Sequence, residues 1–192
     1  MSIFEEQREA IKSMILKKSV DLFKEHGYEK VSIAHIAKDV GMAKATFYNY
    51  YSAKRDILML WADQEFKLFE SKKAANPNVS IQENLYCLVE LLVKAISDSG
   101  KLFSSFLKEM VCSNVKGEVE NQFDFISIFS TVINHSVDYK KMSEDFEEKV
   151  MVFNRAMFLT VTEWFKYNEK IEGLEQKLKK VVDICLYGMI SR

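Results

Sequence analysis

The chain has 192 residues, of which 48% are apolar and 29% charged, so it can bury a core in one large domain or two small ones. Lys and Arg number 27 against 28 Asp and Glu, and the net charge of −1 argues against a general polyanion binder. Only 6 Gly and 1 Pro accompany 14 Phe, 8 Tyr and 9 Met. So few turn formers disfavour sandwiches, barrels and repeated βαβ units, and they predict an all-α fold with an aromatic-rich interior.

The cysteines argue against a metal or disulfide framework. Cys87, Cys112 and Cys185 are odd in number and far apart, no CxxC pair exists, and the three histidines do not cluster with them. We expect reduced, buried thiols and neither a metal nor a cofactor. No apolar run approaches the roughly 20 residues that span a bilayer, and the acidic N-terminus is unlike a signal peptide. The sequence therefore predicts a cytoplasmic location and no membrane partner.

The sequence predicts one helix followed closely by two short ones. An apolar stripe over residues 11–23 predicts a helix that ends at His26 and Gly27. A second helix is predicted over 32–40, with the Ser32 hydroxyl capping its first turn. Gly41 interrupts the pattern, and a third helix is predicted over 43–51. Two short helices joined by a Gly-centred turn are typical of a helix-turn-helix.

Longer helices are predicted beyond this region. Ser52 is the expected N-cap of a helix that runs through Phe69, and Pro77 marks the clearest break in the chain. Ser80 and Glu83 form a capping box that opens the next helix. Further helices are predicted over 101–115, 118–137, 144–168 and 172–190, with a strand as the alternative for 123–129.

The third helix has one face suited to a core and another suited to DNA. At 100° per residue, Phe47 and Tyr51 share the inward face, while Ala45 and Asn49 project from the opposite side. The residues that flank this outward face are Lys44, Thr46, Tyr48 and Tyr50. Asn can pair bidentately with adenine in the major groove, whereas Tyr hydroxyls and Lys suit phosphate oxygens. A helical hairpin inside a bundle is the structural alternative.

Charge counted locally supports DNA binding. Residues 1–55 hold 10 Lys and Arg against 7 Asp and Glu, a net of +3, whereas residues 56–192 hold 17 against 21, a net of −4. The positive end is therefore the end that contains the helix-turn-helix, as an electrostatic footprint on DNA requires. We predict a DNA-binding domain over 1–55 and a larger helical domain over 56–192.

The residue types at individual positions of this region strengthen the DNA-binding interpretation. The order is Phe23-x3-Gly27-Tyr28, Val31-Ser32-Ile33-x2-Ile36-Ala37, then Val40-Gly41-Met42-x3-Thr46-Phe47-Tyr48-Asn49-Tyr50-Tyr51-x2-Lys54. Over about 50 residues without a gap, it resembles the DNA-binding domain of the TetR family of transcriptional regulators. Beyond residue 61 the chain resembles the family only in layout, as a divergent helical domain of roughly the right length for ligand binding and dimerisation.

The resemblance implies roles for individual positions. Ser32 caps its helix and touches phosphate, and the residues at phosphate-contacting positions are Thr46, Tyr48, Tyr50 and Lys54. The residues at positions that vary with the operator are Lys44, Ala45 and Asn49. Tyr51 departs from the more usual Phe, so an extra hydroxyl near the core needs a partner. Ala45 is too small for strong base readout.

The second domain is rich in Phe and Met, which line apolar ligand sites well but also fill ordinary cores. The candidate ligand-lining residues are Phe103, Phe106, Met110, Phe129, Phe153 and Met157. The resemblance implies that the middle helices enclose an inducer, without identifying it.

The last two predicted helices each carry two apolar stripes, although a surface helix needs only one. The second stripe is the candidate dimer interface, and its residues are Met151, Arg155, Phe158, Phe165, Val182, Leu186 and Ile190. The resemblance implies a dimeric four-helix bundle here; a fully buried central helix is the alternative. Arg155 suits either a Glu across the dimer or an anionic ligand, and Glu109 is similarly ambiguous.

We therefore predict a homodimeric repressor that a small apolar or amphipathic ligand releases from its double-stranded DNA operator. The alternative is a DNA-binding regulator or interaction protein without an inducer. An enzyme is disfavoured because the sequence contains no Gly-rich phosphate loop, no HExxH and no catalytic residues that sequence can identify. A redox sensor is disfavoured because Cys185 falls on a buried stripe.

Overall fold

A computed structural model describes residues 3–72, 76–116, 133, 146–168 and 170–187. Within these ranges the chain is helical and contains no strand, which confirms the all-α prediction. The helices are α1 (Ile3–His26), a 3-10 helix (Tyr28–Lys30), α2 (Ile33–Val40), α3 (Lys44–Phe47), α4 (Lys54–Lys72), α5 (Ile81–Ser99), α6 (Lys101–Lys116), α7 (Phe146–Tyr167) and α8 (Leu174–Tyr187). No helix of the described part is long and apolar enough to cross a membrane.

Two compact units make up the structure, and they do not follow chain order. Of the described residues, the first unit comprises 3–66 and 99–116, and the second comprises 67–72, 76–98, 133, 146–168 and 170–187. Helix α6 therefore belongs with the N-terminal helices, and the division into functional domains at residue 55 stays a prediction. The helix lies there because it packs against α1 and because the Phe106 ring approaches Phe66 of α4, with centroids 6.2 Å apart.

The first unit is built around α1. This helix packs against the 3-10 helix, α2 and α6, and α3 packs against α2. Side chains from five helices are completely buried in this unit: Ile15, Ile36, Phe47, Ile57, Leu58 and Phe106. Burial of this much apolar surface from separate helices is what orders the short α2 and α3, since helices of four to eight residues are unstable alone.

The second unit joins α5, α7 and α8. The capping box predicted at the start of α5 is present, because the Ser80 N–H donates to the Glu83 carboxylate (3.0 Å) and the Glu83 N–H donates to the Ser80 Oγ (3.2 Å). Further along α5, the Tyr86 hydroxyl donates to Asp183 of α8 at 2.5 Å. The Lys179 ammonium of α8 lies 2.5 Å from a carboxylate oxygen of Glu90 on α5. These polar contacts hold α5 against α8.

The turn between α7 and α8 requires glycine. Gly173 has φ +92°, and a Cβ placed there would lie 3.1 Å from the Trp164 ring. The Trp164 indole N–H donates to the Lys170 carbonyl at 2.8 Å, so the ring covers the turn. Helix α7 can thereby reverse into α8 and pack against it along its length.

Most predicted helix bounds agree with the structure to within two or three residues. At the start of α4 the capping residue differs, because the helix begins at Lys54 and the Asp56 carboxylate accepts the Ala53 N–H at 2.8 Å. Ala53, not the predicted Ser52, is thus the residue directly before the helix, and an acidic side chain in the first turn binds its N–H. The helix predicted over 118–137 and the ambiguous segment 123–129 lie outside the described residues, apart from Ile133, which is helical and buried.

Candidate DNA-binding surface

Helix α2 has a defined beginning and end. The Ser32 Oγ accepts the His35 N–H at 3.2 Å, so the predicted N-cap is present. At the other end Gly41 adopts the left-handed conformation with φ +77°, and its N–H bonds back to the last turn of α2. A residue with a Cβ is strained at this φ, so glycine provides the sharp change of direction into α3.

Helix α3 is anchored on one side only. Phe47 is completely buried and Tyr51 is 7% exposed, and their rings lie 6.1 Å apart. The five exposed residues of this region are Lys44, Ala45, Thr46, Tyr48 and Asn49, while Tyr50 is half-buried. The helix thus presents a small, polar and aromatic face to solvent, with the separation of faces that the sequence periodicity predicts.

The predicted length of this helix was wrong at its C-terminal end. Regular α-helix stops at Phe47, and the chain continues as a tighter turn in which Asn49 N–H bonds to Thr46 O and Tyr50 N–H to Phe47 O. Such i→i+3 bonds are typical of a last helical turn. The turn keeps Asn49 exposed while returning Tyr51 to the core.

The extra hydroxyl of Tyr51 has a partner. It donates to the Lys12 carbonyl of α1 at 3.0 Å, which ties the end of the turn after α3 to α1. Burial, with a smaller contribution from the Glu9 carboxylate, raises the pKa of this phenol, so it stays protonated and remains a donor. The departure from Phe at this position therefore adds an interhelical contact.

Lys54 faces the protein. Its ammonium donates to the Tyr28 carbonyl at 2.7 Å and lies 4.0 Å from the centroid of the Tyr28 ring. Burial lowers the pKa of Lys54, and the nearby carboxylates of Glu29 and Glu109 act in the opposite direction. The phosphate-binding role predicted for Lys54 remains a prediction, but its ammonium already has partners within the fold.

Glu109 of α6 joins α6 to the N-terminal helices. One carboxylate oxygen accepts the Tyr28 hydroxyl at 3.2 Å, and the other lies 3.6 Å from Arg55 Nε. Burial and then the negative Glu109 raise the pKa of Tyr28 well above its usual value. The sequence left Glu109 ambiguous because its partners lie about 80 and 54 positions away. It is an internal partner of the N-terminal unit.

The predicted ligand-lining residues are buried where they are described. Phe103, Phe106 and Met110 lie on α6 in the first unit, and Phe153 and Met157 lie on α7 in the second. Phe129 lies outside the described residues. Burial is compatible with both core packing and pocket lining, so the pocket stays a prediction.

The predicted dimer residues differ in exposure. Met151 and Arg155 are exposed, and Phe158, Phe165 and Leu186 are half-buried. Val182 is completely buried within the protomer, so its side chain is part of the core. Ile190 lies outside the described residues. Further exposed apolar side chains that the sequence analysis did not select are Val152 and Leu159 on α7 and Ile184 on α8.

The cysteines and the metal-binding residue types of the described part do not form a further site. Cys87 is exposed and Cys185 is half-buried. Burial raises the pKa of the Cys185 thiol, which reduces the thiolate that redox sensing needs. Among the described residues, no group of three or more His, Cys, Asp or Glu side chains could hold a metal ion.

These features define a helix-turn-helix protein with an additional helical unit, and known proteins resemble it. Residues 15–59 match the family model described as bacterial regulatory proteins, tetR family. The Staphylococcus aureus biofilm operon icaADBC HTH-type negative transcriptional regulator IcaR is 21% identical over 179 residues, which cover 90% of this chain and 94% of IcaR.

Solved structures share the fold over nearly the whole chain. Thermus thermophilus FadR, a TetR family transcriptional repressor in complex with lauroyl-CoA, has a TM-score of 0.78 at 19% identity, covering 94% of this chain and 96% of FadR. A TetR transcriptional regulator from Rhodococcus sp. RHA1 has a TM-score of 0.67 at 17% identity, covering 97% and 100%. The resemblance predicted from the helix-turn-helix residues is confirmed, because residues 15–59 match the tetR family model and the fold is shared with TetR-family regulators.

The buried contacts of Lys54 predict a stability effect that a neighbouring lysine lacks. Lys54→Ala removes a charged hydrogen bond and a cation–π contact, so we expect the free energy of unfolding to fall by about 1–2 kcal/mol. Lys44→Ala removes an exposed lysine of the same unit, and we expect a change within about 0.5 kcal/mol. Urea unfolding followed by circular dichroism compares the two. Equal stabilities of both variants would contradict the internal role of Lys54.

Proposed function

We propose that this regulator is a homodimeric repressor that binds a specific operator through α2 and α3 and is released by a small apolar or amphipathic ligand. The observation that carries the proposal is the exposed face of α3, which is polar, anchored by Phe47 and Tyr51 beneath it, and located in the more basic part of the chain. A helix with such a face fits the major groove of DNA, which is about 12 Å wide.

The exposed residues divide into those that would position the protein on the DNA backbone and those that would read base edges. Lys44, Thr46 and Tyr48 offer an ammonium and hydroxyls to phosphate oxygens, which position the protein without specifying sequence. Ser32 and Tyr50 are assigned the same role at the edges of this face. Asn49, exposed on the last turn, is the residue best suited to read a base edge, because its amide can both donate to and accept from adenine. Ala45 can contact at most a thymine methyl group.

Dimerisation is supported by the apolar surface of α7 and α8. Leu159 and Ile184 are 58% and 60% exposed in the protomer, and Met151 and Val152 are exposed beside them on α7. A second copy that presents the same helices would bury these side chains in a symmetric interface. Two recognition helices would then lie about 34–36 Å apart, one turn of DNA, and would read two half-sites.

The ligand class is proposed from the composition of the helices and from a relative. The buried Phe and Met side chains of α6 suit an apolar molecule, and so, in the other unit, do those of α7; Thermus thermophilus FadR was solved with lauroyl-CoA. Helix α6 carries three of these side chains and also carries Glu109, which bonds Tyr28 of the DNA-binding unit. A ligand that binds two arrangements of α6 unequally would shift the equilibrium between DNA-binding and released states.

Operator binding tests the first part of the proposal. Asn49→Ala should reduce discrimination at one base pair of each half-site by roughly 5- to 150-fold, because about 1–3 kcal/mol of base contact is lost. Tyr48→Phe should instead weaken binding to all sequences about 5- to 10-fold, since only one hydroxyl is removed. Gel shifts on duplexes with single substitutions measure both effects. Absence of sequence-specific retardation of the wild-type protein at moderate salt would contradict DNA reading by this surface.

Oligomeric state tests the dimer. Leu159→Glu places a charge in the proposed interface, so we expect the dimer dissociation constant to rise by about 100-fold or more. Leu68→Glu is the matched control, because Leu68 is 49% exposed on α4 and lies outside the proposed interface. Sedimentation equilibrium measures both variants. A Leu159→Glu dimer as tight as the Leu68→Glu dimer would exclude this face.

Ligand binding is tested with lauroyl-CoA, using coenzyme A alone as the control for the polar head. At a concentration 100 times the dissociation constant, a ligand that binds only the folded state stabilises it by about 2.7 kcal/mol, so the melting temperature should rise. The same concentration should release operator DNA in a gel shift. If acyl-CoAs of several chain lengths neither stabilise the protein nor release the DNA, the result favours a regulator without an acyl inducer.

A further inference from the structure

The first turns of α1 extend past the core of the N-terminal unit. Residues 3–10 are all exposed, and the first completely buried side chain of α1 is Ile15. Exposed helix ends normally carry solvated charges of no particular consequence. One of these charges, Arg8, differs because it contacts the recognition segment.

Arg8 bonds directly to the turn that carries the DNA-facing side chains. Its guanidinium Nη2 donates to the main-chain carbonyl of Asn49 at 3.2 Å, across 41 positions of sequence. This carbonyl belongs to the turn after α3, between exposed Tyr48 and half-buried Tyr50. The guanidinium therefore lies at the edge of the face proposed to enter the major groove.

The N–H donors of Arg8 that the Asn49 carbonyl does not take suit a phosphate. A guanidinium has five N–H donors, and the Asn49 carbonyl takes one of them, so the planar group keeps donors for the paired oxygens of a phosphate. Two acidic residues lie near Arg8 on α1: Glu5 is three residues earlier, and Glu9, the next residue, is paired with Lys12 at 3.2 Å. The bond to Asn49 also holds the long side chain in place before DNA arrives, which lowers the entropy lost on binding.

We propose that Arg8 is a further operator-binding residue, which contacts a DNA phosphate from α1 while the Asn49 carbonyl orients it. The inference depends on the proposed DNA-binding function and adds a third element, α1, to the helix-turn-helix surface. It also gives the recognition turn a direct connection to α1, beside the one made by Tyr51 and Lys12.

Three variants test the proposal in the full-length protein. Arg8→Gln removes the charge but keeps an N–H donor for the Asn49 carbonyl, and Arg8→Lys keeps the charge. Lys17→Gln is the matched control, because Lys17 is exposed on α1 and nine residues from Arg8, which places it about 180° around the helix. Fluorescence anisotropy with a labelled operator duplex gives the dissociation constant at several salt concentrations.

Arg8→Gln should raise the dissociation constant about 10-fold near 100 mM salt and reduce the slope of log K against log salt by about 0.9 per bound protomer. Arg8→Lys should restore most of that slope, and Lys17→Gln should retain the wild-type slope. An unchanged slope in Arg8→Gln, or an equal loss in Lys17→Gln, would overturn the proposal. Sequence-independent binding by the wild-type protein would instead count against the proposed function.

Discussion

The structure of the DNA-binding surface depends on the burial of Phe47 and Tyr51. Helix α3 has only four residues of regular α-helix, and a helix of that length is not stable by itself. Its conformation is maintained because these two aromatic side chains are inserted into the core beside α1 and α2. The opposite face can therefore hold the small and polar residues that we propose contact DNA, since they contribute little to stability.

Because α3 is too short to be stable by itself, residues far away in the sequence support it. The Tyr51 hydroxyl reaches Lys12, and the Asn49 carbonyl receives Arg8, so α1 supports the recognition turn from two points. Glu109 connects α6 to the other end of this unit through Tyr28 and Arg55. In the proposed function, the contacts that α6 makes with Tyr28 and Arg55 give a ligand-induced shift of α6 a physical route to the helix-turn-helix.

Much of the fold could be predicted from local patterns. The Ser32 cap, the Gly41 turn and the box at Ser80 and Glu83 involve residues within four positions of one another, so sequence spacing is sufficient to identify them. Predictions failed where a local pattern had two solutions. Helix α4 begins one residue later than Ser52 as N-cap predicts, with Asp56 accepting the Ala53 N–H, and α3 ends at Phe47 because its last turn tightens. Apolar periodicity also marked Val182 as partner-facing, although it is buried by its own protomer.

The sequence by itself determined the all-α class, the helix-turn-helix and its resemblance to the TetR family, because these depend on periodicity, caps and a nearly continuous motif. Only the tertiary structure decided that α6 packs with the N-terminal helices, that Lys54 turns inward to Tyr28, and that Arg8 meets Asn49. Each of these is a contact between residues 26 or more positions apart, or between helices separated by others. Such contacts follow from how apolar faces pack together, which periodicity along one helix does not specify.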